Sequence, residues 1–301
     1  MDVFCAIRAT EESGVLSEGP YWDARARALH WVDIQSGLVH SGRVLDSGRI
    51  TLDRTESFSN TVGAVVVSTS GELVVAEAHG VTVMDGNGRR RPFSRVLDPA
   101  SGRRINDMSV DPRGRLFLGT LALDQPSESE TLVRIEGDGA VTVVDDDLTL
   151  SNGIAWSPDG RRMYSVDSLR RIVVVREYDP ATGATGPREV FVGDVDGIPD
   201  GLCTDSEGGV WVAVWGAAQV RRYRSDGRQD AVIEVPAPHV SSACFVGDDL
   251  RTLVITTARH DLTDADLDRF PASGALFSVR LSIPGTPVAT WRGPTPKEGA
   301  S

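Results

Sequence analysis

Basic residues are scarce in this chain relative to acidic ones. Among 301 residues, 31 Lys and Arg face 43 Asp and Glu, a net charge of −12. Duplex nucleic acid and anionic membranes are held by Lys and Arg that neutralise phosphates, so neither is an expected partner. An acidic surface suits solubility, neutral small molecules or cations. Cysteine is sparse too. Cys5, Cys203 and Cys244 are odd in number, widely separated and without a CxxC pair, which argues against a disulfide framework or a zinc site and predicts reduced, mostly buried thiols. No apolar run approaches the ~20 residues of a membrane helix. The stretch from Met1 to Arg8 lacks the layout of a secretion signal, so a cytoplasmic protein is expected. Helical periodicity is missing as well; Thr263–Leu267 could supply one turn at most. Neither GxSxG nor HExxH occurs, and Gly86-Asn87-Gly88 runs into Arg89-Arg90-Arg91 rather than a helix after a strand. With 40% hydrophobic and 25% charged residues the composition is that of an ordinary globular chain.

What is present is a repeat. Six times a short apolar strand enters a tight turn, then a second strand and usually a third. The openings begin at Glu18, Val62, Asn106, Asn152, Asp200 and Ser242, at spacings of 44, 44, 46, 48 and 42. Turn sequences such as Asp111-Pro112-Arg113-Gly114 and Ser157-Pro158-Asp159-Gly160 follow the first strands. β-Branched and aromatic residues fill the second, as in Leu29–Asp33 and Val210–Val214. Repeats of ~40–50 residues with about four strands each are the signature of propeller blades. The expected fold is therefore all-β: one six-bladed β-propeller over residues 1–301, with four antiparallel strands per blade. Val3 to Thr10 is expected to close the ring against the last blade. A pair of β-sandwiches is the alternative, but it would not require such regular repeats.

The first strand of each blade lines the central channel of a propeller, so one repeat position faces one axis in all six blades. That column reads Glu18, Val62, Asn106, Asn152, Asp200 and Ser242. Buried polar groups need partners. From the column alone two readings stand: a cation at the axis, or ordered water. Carboxylates and amides without His or Cys form a hard-cation set, with Ca²⁺ first, Mg²⁺ and Mn²⁺ beside it and Zn²⁺ less natural.

Four motifs carry a resemblance: Ser17-Glu18-Gly19-Pro20-Tyr21-Trp22, Arg104-Ile105-Asn106-Asp107, Ser151-Asn152-Gly153-Ile154-Ala155-Trp156, and Pro199-Asp200-Gly201-Leu202. In this order and spacing, from about Ser17 to about Val279, the chain resembles the regucalcin/gluconolactonase family, also called luciferin-regenerating-enzyme-like. The resemblance implies a propeller with one divalent metal ion in the channel and sugar lactonase activity. It implies Glu18, Asn152 and Asp200 as metal ligands, and Arg104 and Asn106 as substrate holders. It also implies that Asp124, where many relatives carry Glu, reads sugar hydroxyls.

On this reading water attacks the carbonyl of an aldonolactone, a divalent ion polarises that carbonyl or acidifies a bound water, and Asp200 is the candidate general base. Arg104 would steady the oxygen on which charge develops. The expected partner is a small sugar lactone, and the expected state a monomer or weak homo-oligomer. Blander readings stand beside these. Asp200 could be a ligand only, Arg104 a structural partner of Asp107 or Asp98, and Asp124 a solvated loop residue. Asp145-Asp146-Asp147 reads as a charged loop, His79 as a loop residue that could reach the channel mouth, and Trp22, Trp31, Trp156 and Trp211 as packing between blades. Two functional rivals are a metal-dependent phosphotriesterase on the same scaffold and a calcium-binding propeller without turnover.

Overall fold

Wherever β-branched residues run between Gly- and Asp-bearing turns, the chain makes a strand. The computed structural model describes residues 1–295. Its strands form six antiparallel sheets arranged as blades. The innermost strands are Ser17–Asp23, Val62–Val67, Arg103–Val110, Ser151–Trp156, Ile198–Thr204 and Val240–Val246. Each packs on the next, and the sixth returns to the first, so the ring is closed and the two-sandwich alternative is excluded. The first-to-second strand turns work as their residues dictate. In Asp111–Gly114, the Gly114 N–H donates to the Asp111 carbonyl, and Gly114 takes a φ of 80° that a side chain would resist.

Closure is by the N-terminal stretch, but in two pieces. Ile7–Arg8 pairs antiparallel with Phe277–Arg280 as the outermost strand of the sixth blade. Asp2–Cys5 instead runs parallel to Gln229–Glu234 and adds a fifth strand to the fifth blade. One segment therefore stitches two blades. The single helix among the described residues, Asp264–Arg269, is capped by a reciprocal Thr263–Asp266 box and occupies the place where one turn was expected.

The core lies between blades. Trp22, Trp31, Trp156 and Trp211 are all buried in these inter-blade clusters, as expected. Trp156 meets Phe117 and Tyr178 edge to face. Trp211 donates through Nε1 to Asp205 at 2.9 Å. All three cysteines are free, yet only Cys244 is fully buried; Cys203 is partly exposed and Cys5, on the added edge strand, is exposed. Hydrogen bonds then clamp neighbouring inner strands near the axis. Asn106 Nδ2 donates to the Ser151 carbonyl at 3.2 Å, and Ser241 Oγ to the Ser17 carbonyl at 2.6 Å.

Deleting residues 1–8 should leave Phe277–Arg280 as an open outer edge of the sixth blade and strip the added strand from the fifth. A urea titration is expected to show a lowered midpoint for the truncated chain. An unchanged midpoint would mean the ring does not depend on this closure.

Candidate metal and substrate site

Every inner strand breaks its pairing register beside the column position. The irregularities fall between Glu18 and Tyr21, Val62 and Ala64, Ile105 and Asp107, Asn152 and Ile154, Pro199 and Leu202, and Val240 and Ser242. A bulge bends a strand and re-aims its side chains; six at one level turn the column toward the axis. Glycine allows the close approach. A Cβ on Gly153 would lie 2.5 Å from the Asp200 carbonyl, and one on Gly201 would collide with Ser242. The Asn-Gly and Asp-Gly pairs of the motifs thus combine a side chain for the axis with a backbone that the next blade can touch.

Glu18, Arg104, Asn106, Asn152 and Asp200 are all buried at this level. Glu18 Oε2 accepts from the Gly19 N–H at 2.8 Å. Burial pushes its carboxyl up to about 8, with the charge of Asp107 acting in the same direction, while the Gly19 N–H and Arg104 oppose the rise. Asp200 is driven well above the carboxylate range by burial and then by the charges of Glu18 and Asp107. Its Oδ1 is buried without a hydrogen-bond partner. Asp107, one place past the column, is itself raised to about 6 by burial. Among the described residues the cationic side chain beside Glu18 and Asp200 is Arg104, which burial pushes down to about 10 against the opposing charges of those two acids.

Amide orientations follow from neighbours. Asn152 Nδ2 donates to Ser168 Oγ at 3.2 Å, and Ser168 Oγ donates to the Pro199 carbonyl at 2.7 Å. The nitrogen is thereby anchored, and Oδ1 keeps only a long 3.3 Å contact from the Gly153 N–H. Arg104 Nη1 donates to the Ile105 carbonyl at 3.1 Å and to Asn106 Oδ1 at 2.9 Å. Its partner is therefore Asn106 rather than Asp107 or Asp98. Among the described residues Nε and Nη2 of Arg104 have no protein acceptor, so they can receive an incoming oxygen.

Asp124 stands apart. It occupies an exposed bend after the strand Leu116–Ala122, and among the described residues no hydrogen bond or ion pair links it to the column. Because Leu121 pairs with Arg104 across the sheet, the bend leaves at the Arg104 end of the channel. His79 lies in a turn and lines a separate shallow cavity with Asn60 and Glu77. Asp145 is buried and paired with Arg176 at 2.6 Å, while Asp147 pairs with Arg188 at 2.7 Å; the acidic run is ion-paired strand.

Comparison with known proteins bears on this geometry. A model of the SMP-30/Gluconolactonase/LRE-like region matches residues 16–259. The chain belongs to this family. It is 34% identical over 286 residues to pentonolactonase XacC of Haloferax volcanii, covering 93% of this chain and 96% of that one. It is 33% identical over 297 residues to regucalcin of Danio rerio, covering 97% and 98%. Among solved structures, regucalcin from Agrobacterium tumefaciens, described as a calcium-binding protein, superposes with a TM-score of 0.90 at 28% identity over 97% of this chain and 99% of that one.

Does the column of this SMP-30-like chain fit a divalent ion? Among the described residues no three of His, Cys, Asp and Glu gather as a ligand cluster. The donor set is two carboxyls and an amide oxygen. It fits nonetheless, because Asp200 Oδ1 is orphaned, the charge of Glu18 helps drive Asp200 up, and Asn152 Oδ1 keeps only one long contact. These are hard oxygen donors suited to calcium, which accepts further oxygens from solvent or ligand. Sequence reasoning passed over Asp107 as a contributor to the field and Ser168 as the anchor of Asn152. The first was visible beside Asn106 in its motif. The second comes from a different strand end and leaves no trace in the column.

A pH dependence follows. A carboxyl raised in the folded state holds its proton there while the unfolded chain has lost it, so stability falls as pH rises between the two values. His30, lowered to about 4 by burial, acts oppositely only below its ordinary 6.5. From about pH 6.5 to 8 the Glu18 and Asp200 carboxyls therefore dominate. The urea midpoint of chelated protein should fall across this window, and Glu18→Gln should flatten the fall. A midpoint that rises in wild type would contradict the assignment.

Proposed function

We propose that this chain is a divalent-metal-dependent hydrolase that opens a sugar (aldono-) lactone to its aldonic acid. One observation carries the reading: at a single level of the channel, two under-compensated buried carboxyls and an amide oxygen with spare accepting capacity adjoin a guanidinium with unused donors. A dication and a polar carbonyl complete that set. Relatives over nearly the full chain support the substrate class, since one is named a pentonolactonase and another, from Pseudomonas putida, a 6-deoxy-6-sulfogluconolactonase.

Glu18, Asn152 and Asp200 would hold the ion, with calcium the first choice. When bound, the ion supplies electrophilic activation of the ester and its attacking water. The remaining work falls to the chain. Arg104 donates from Nε or Nη2 to the lactone carbonyl oxygen, where negative charge builds in the transition state. Asn106 fixes the Arg104 plane through Oδ1 and the neighbouring blade through Nδ2. Asp200 takes a proton from the attacking water at Oδ1. The water oxygen bonds to the carbonyl carbon, the ring C–O bond breaks, and Asp200 returns the proton to the departing ring oxygen. The aldonic acid then ionises and releases one proton to solution. Asp124, at the Arg104 end of the channel, is the candidate reader of sugar hydroxyls.

The test is proton release from glucono- and pentonolactones by metal-stripped protein and by protein loaded with Ca²⁺, Mn²⁺ or Zn²⁺. Catalysis above the spontaneous rate is expected only with metal; equal rates for chelated and loaded protein would sink the proposal. Calcium-dependent stabilisation with silence on every lactone would leave a binding propeller, and paraoxon hydrolysis exceeding lactone hydrolysis a phosphotriesterase. Asp200→Asn is expected to lower kcat by roughly 10²–10⁴-fold with metal saturating; near-normal turnover would restrict Asp200 to a ligand. Arg104→Met should lower kcat/KM by about 10²–10³-fold while calcium affinity, read by titration, stays within a few-fold.

A further inference from the structure

Beyond the column the channel widens into a chamber of about 440 Å³. Its walls are the downstream halves of the same six inner strands: Gly19–Tyr21, Val65–Val66, Asp107–Val110, Ile154–Trp156, Leu202–Thr204 and Ser242–Cys244. Glu18, Arg104, Asn106, Asn152 and Asp200 do not line it. The chamber thus occupies the opposite end of the axis from the Arg104 side. A strap, Thr286–Ala289, lies across its outer mouth. The strap is tied at one end by the Thr286 N–H to the Thr204 carbonyl at 2.9 Å. At the other, Tyr21 Oη donates to the Ala289 carbonyl at 2.9 Å.

The lining has a distinct chemistry. Most of it is apolar, including Ala155, Ile154, Leu202 and Met108. Among the described residues that line it, Asp107 is the only charged one, and none is Lys, Arg or His. Asp107 is partly exposed in the middle of an inner strand, and the space it meets is this chamber. Oδ1 accepts from the Met108 N–H at 2.7 Å, and among the described residues this is the only hydrogen bond to the carboxyl. Tyr21 and Trp156 also border it, from the first and fourth blades, with their rings largely packed between blades. One acid against apolar walls is the complement of an ammonium ion on a compact apolar body: the charge pairs with the carboxylate, and the body excludes water. The size falls within the ordinary range of small-molecule pockets.

We propose that this chamber is a second ligand site, taking a compact organic ammonium ion whose nitrogen pairs with Asp107. It is independent of the lactonase reading, since it needs neither the column nor a lactone.

The probe is cyclohexylmethylammonium, compared with cyclohexylmethanol and cyclohexanecarboxylate, each titrated calorimetrically into the full-length protein without added metal. The expected result is one-to-one binding of the ammonium ion, roughly tenfold or more tighter than the alcohol, with the carboxylate weakest. Asp107→Asn should bring ammonium binding down to the level of the alcohol. Ala155→Phe, which puts bulk into the chamber, should abolish binding of all three, and Ala155→Leu should weaken it if the larger residue prevents folding. No ammonium binding at millimolar concentration, or equal binding by wild type and both Ala155 variants, would overturn the site. Equal affinity for ammonium ion and alcohol would overturn the role of Asp107.

Discussion

The structure turns on negative charge held out of water at its axis. Glu18 and Asp200 share one level of the channel, with the charge of Asp107 acting on them from one residue past the column, and among the described residues the counter-charge beside them is the guanidinium of Arg104. Placing carboxyls there without a cation is unfavourable, and the folded chain answers by holding them protonated. Such an arrangement costs stability, so it makes sense where something positive is to be bound.

Other buried acids in the same fold show the contrast. Asp205 receives Trp211 Nε1, Arg222 Nε at 2.7 Å and the N–H groups of Glu207 and Gly209. Asp111 receives Arg115 through both its guanidinium, at 2.6 Å, and its N–H, together with the Tyr178 hydroxyl. These carboxylates are saturated and serve the scaffold, fixing turns and cross-strand packing. At the axis the same residue type is left with an orphaned oxygen. The difference is positional: the saturated acids begin the turns after the inner strands, whereas Asp200, with its orphaned oxygen, sits at a bulge within one. Bulge and glycine together aim the polar side chain inward and let the next strand close in behind it.

Much of this was legible in the sequence because a propeller repeats. Spacings near 44 residues gave blade number and strand order, and the column placed Glu18, Asn152 and Asp200 together without any knowledge of distances. The legible part ends where placement depends on a single blade's irregularity. The N-terminal stretch divides between two blades because Ala6 sits between two short strands, a detail with no periodic signal. Asp107 falls outside the column by one residue, and only the register break after Ile105 turns it toward the channel. Arg104 could be read as partner to several acids; its bond to Asn106, two residues away on the same strand, is a matter of local side-chain geometry. Asp124 lies in an irregular segment, where spacing says little about direction.

Convergence of Glu18, Asn152 and Asp200 on one divalent cation can be read from anomalous diffraction of crystals soaked in manganese. The expected result is a single strong peak bounded by the carboxyl oxygens of Glu18 and Asp200 and by Asn152 Oδ1. Those three side chains splayed apart around an empty axis, with manganese elsewhere or absent, would contradict it.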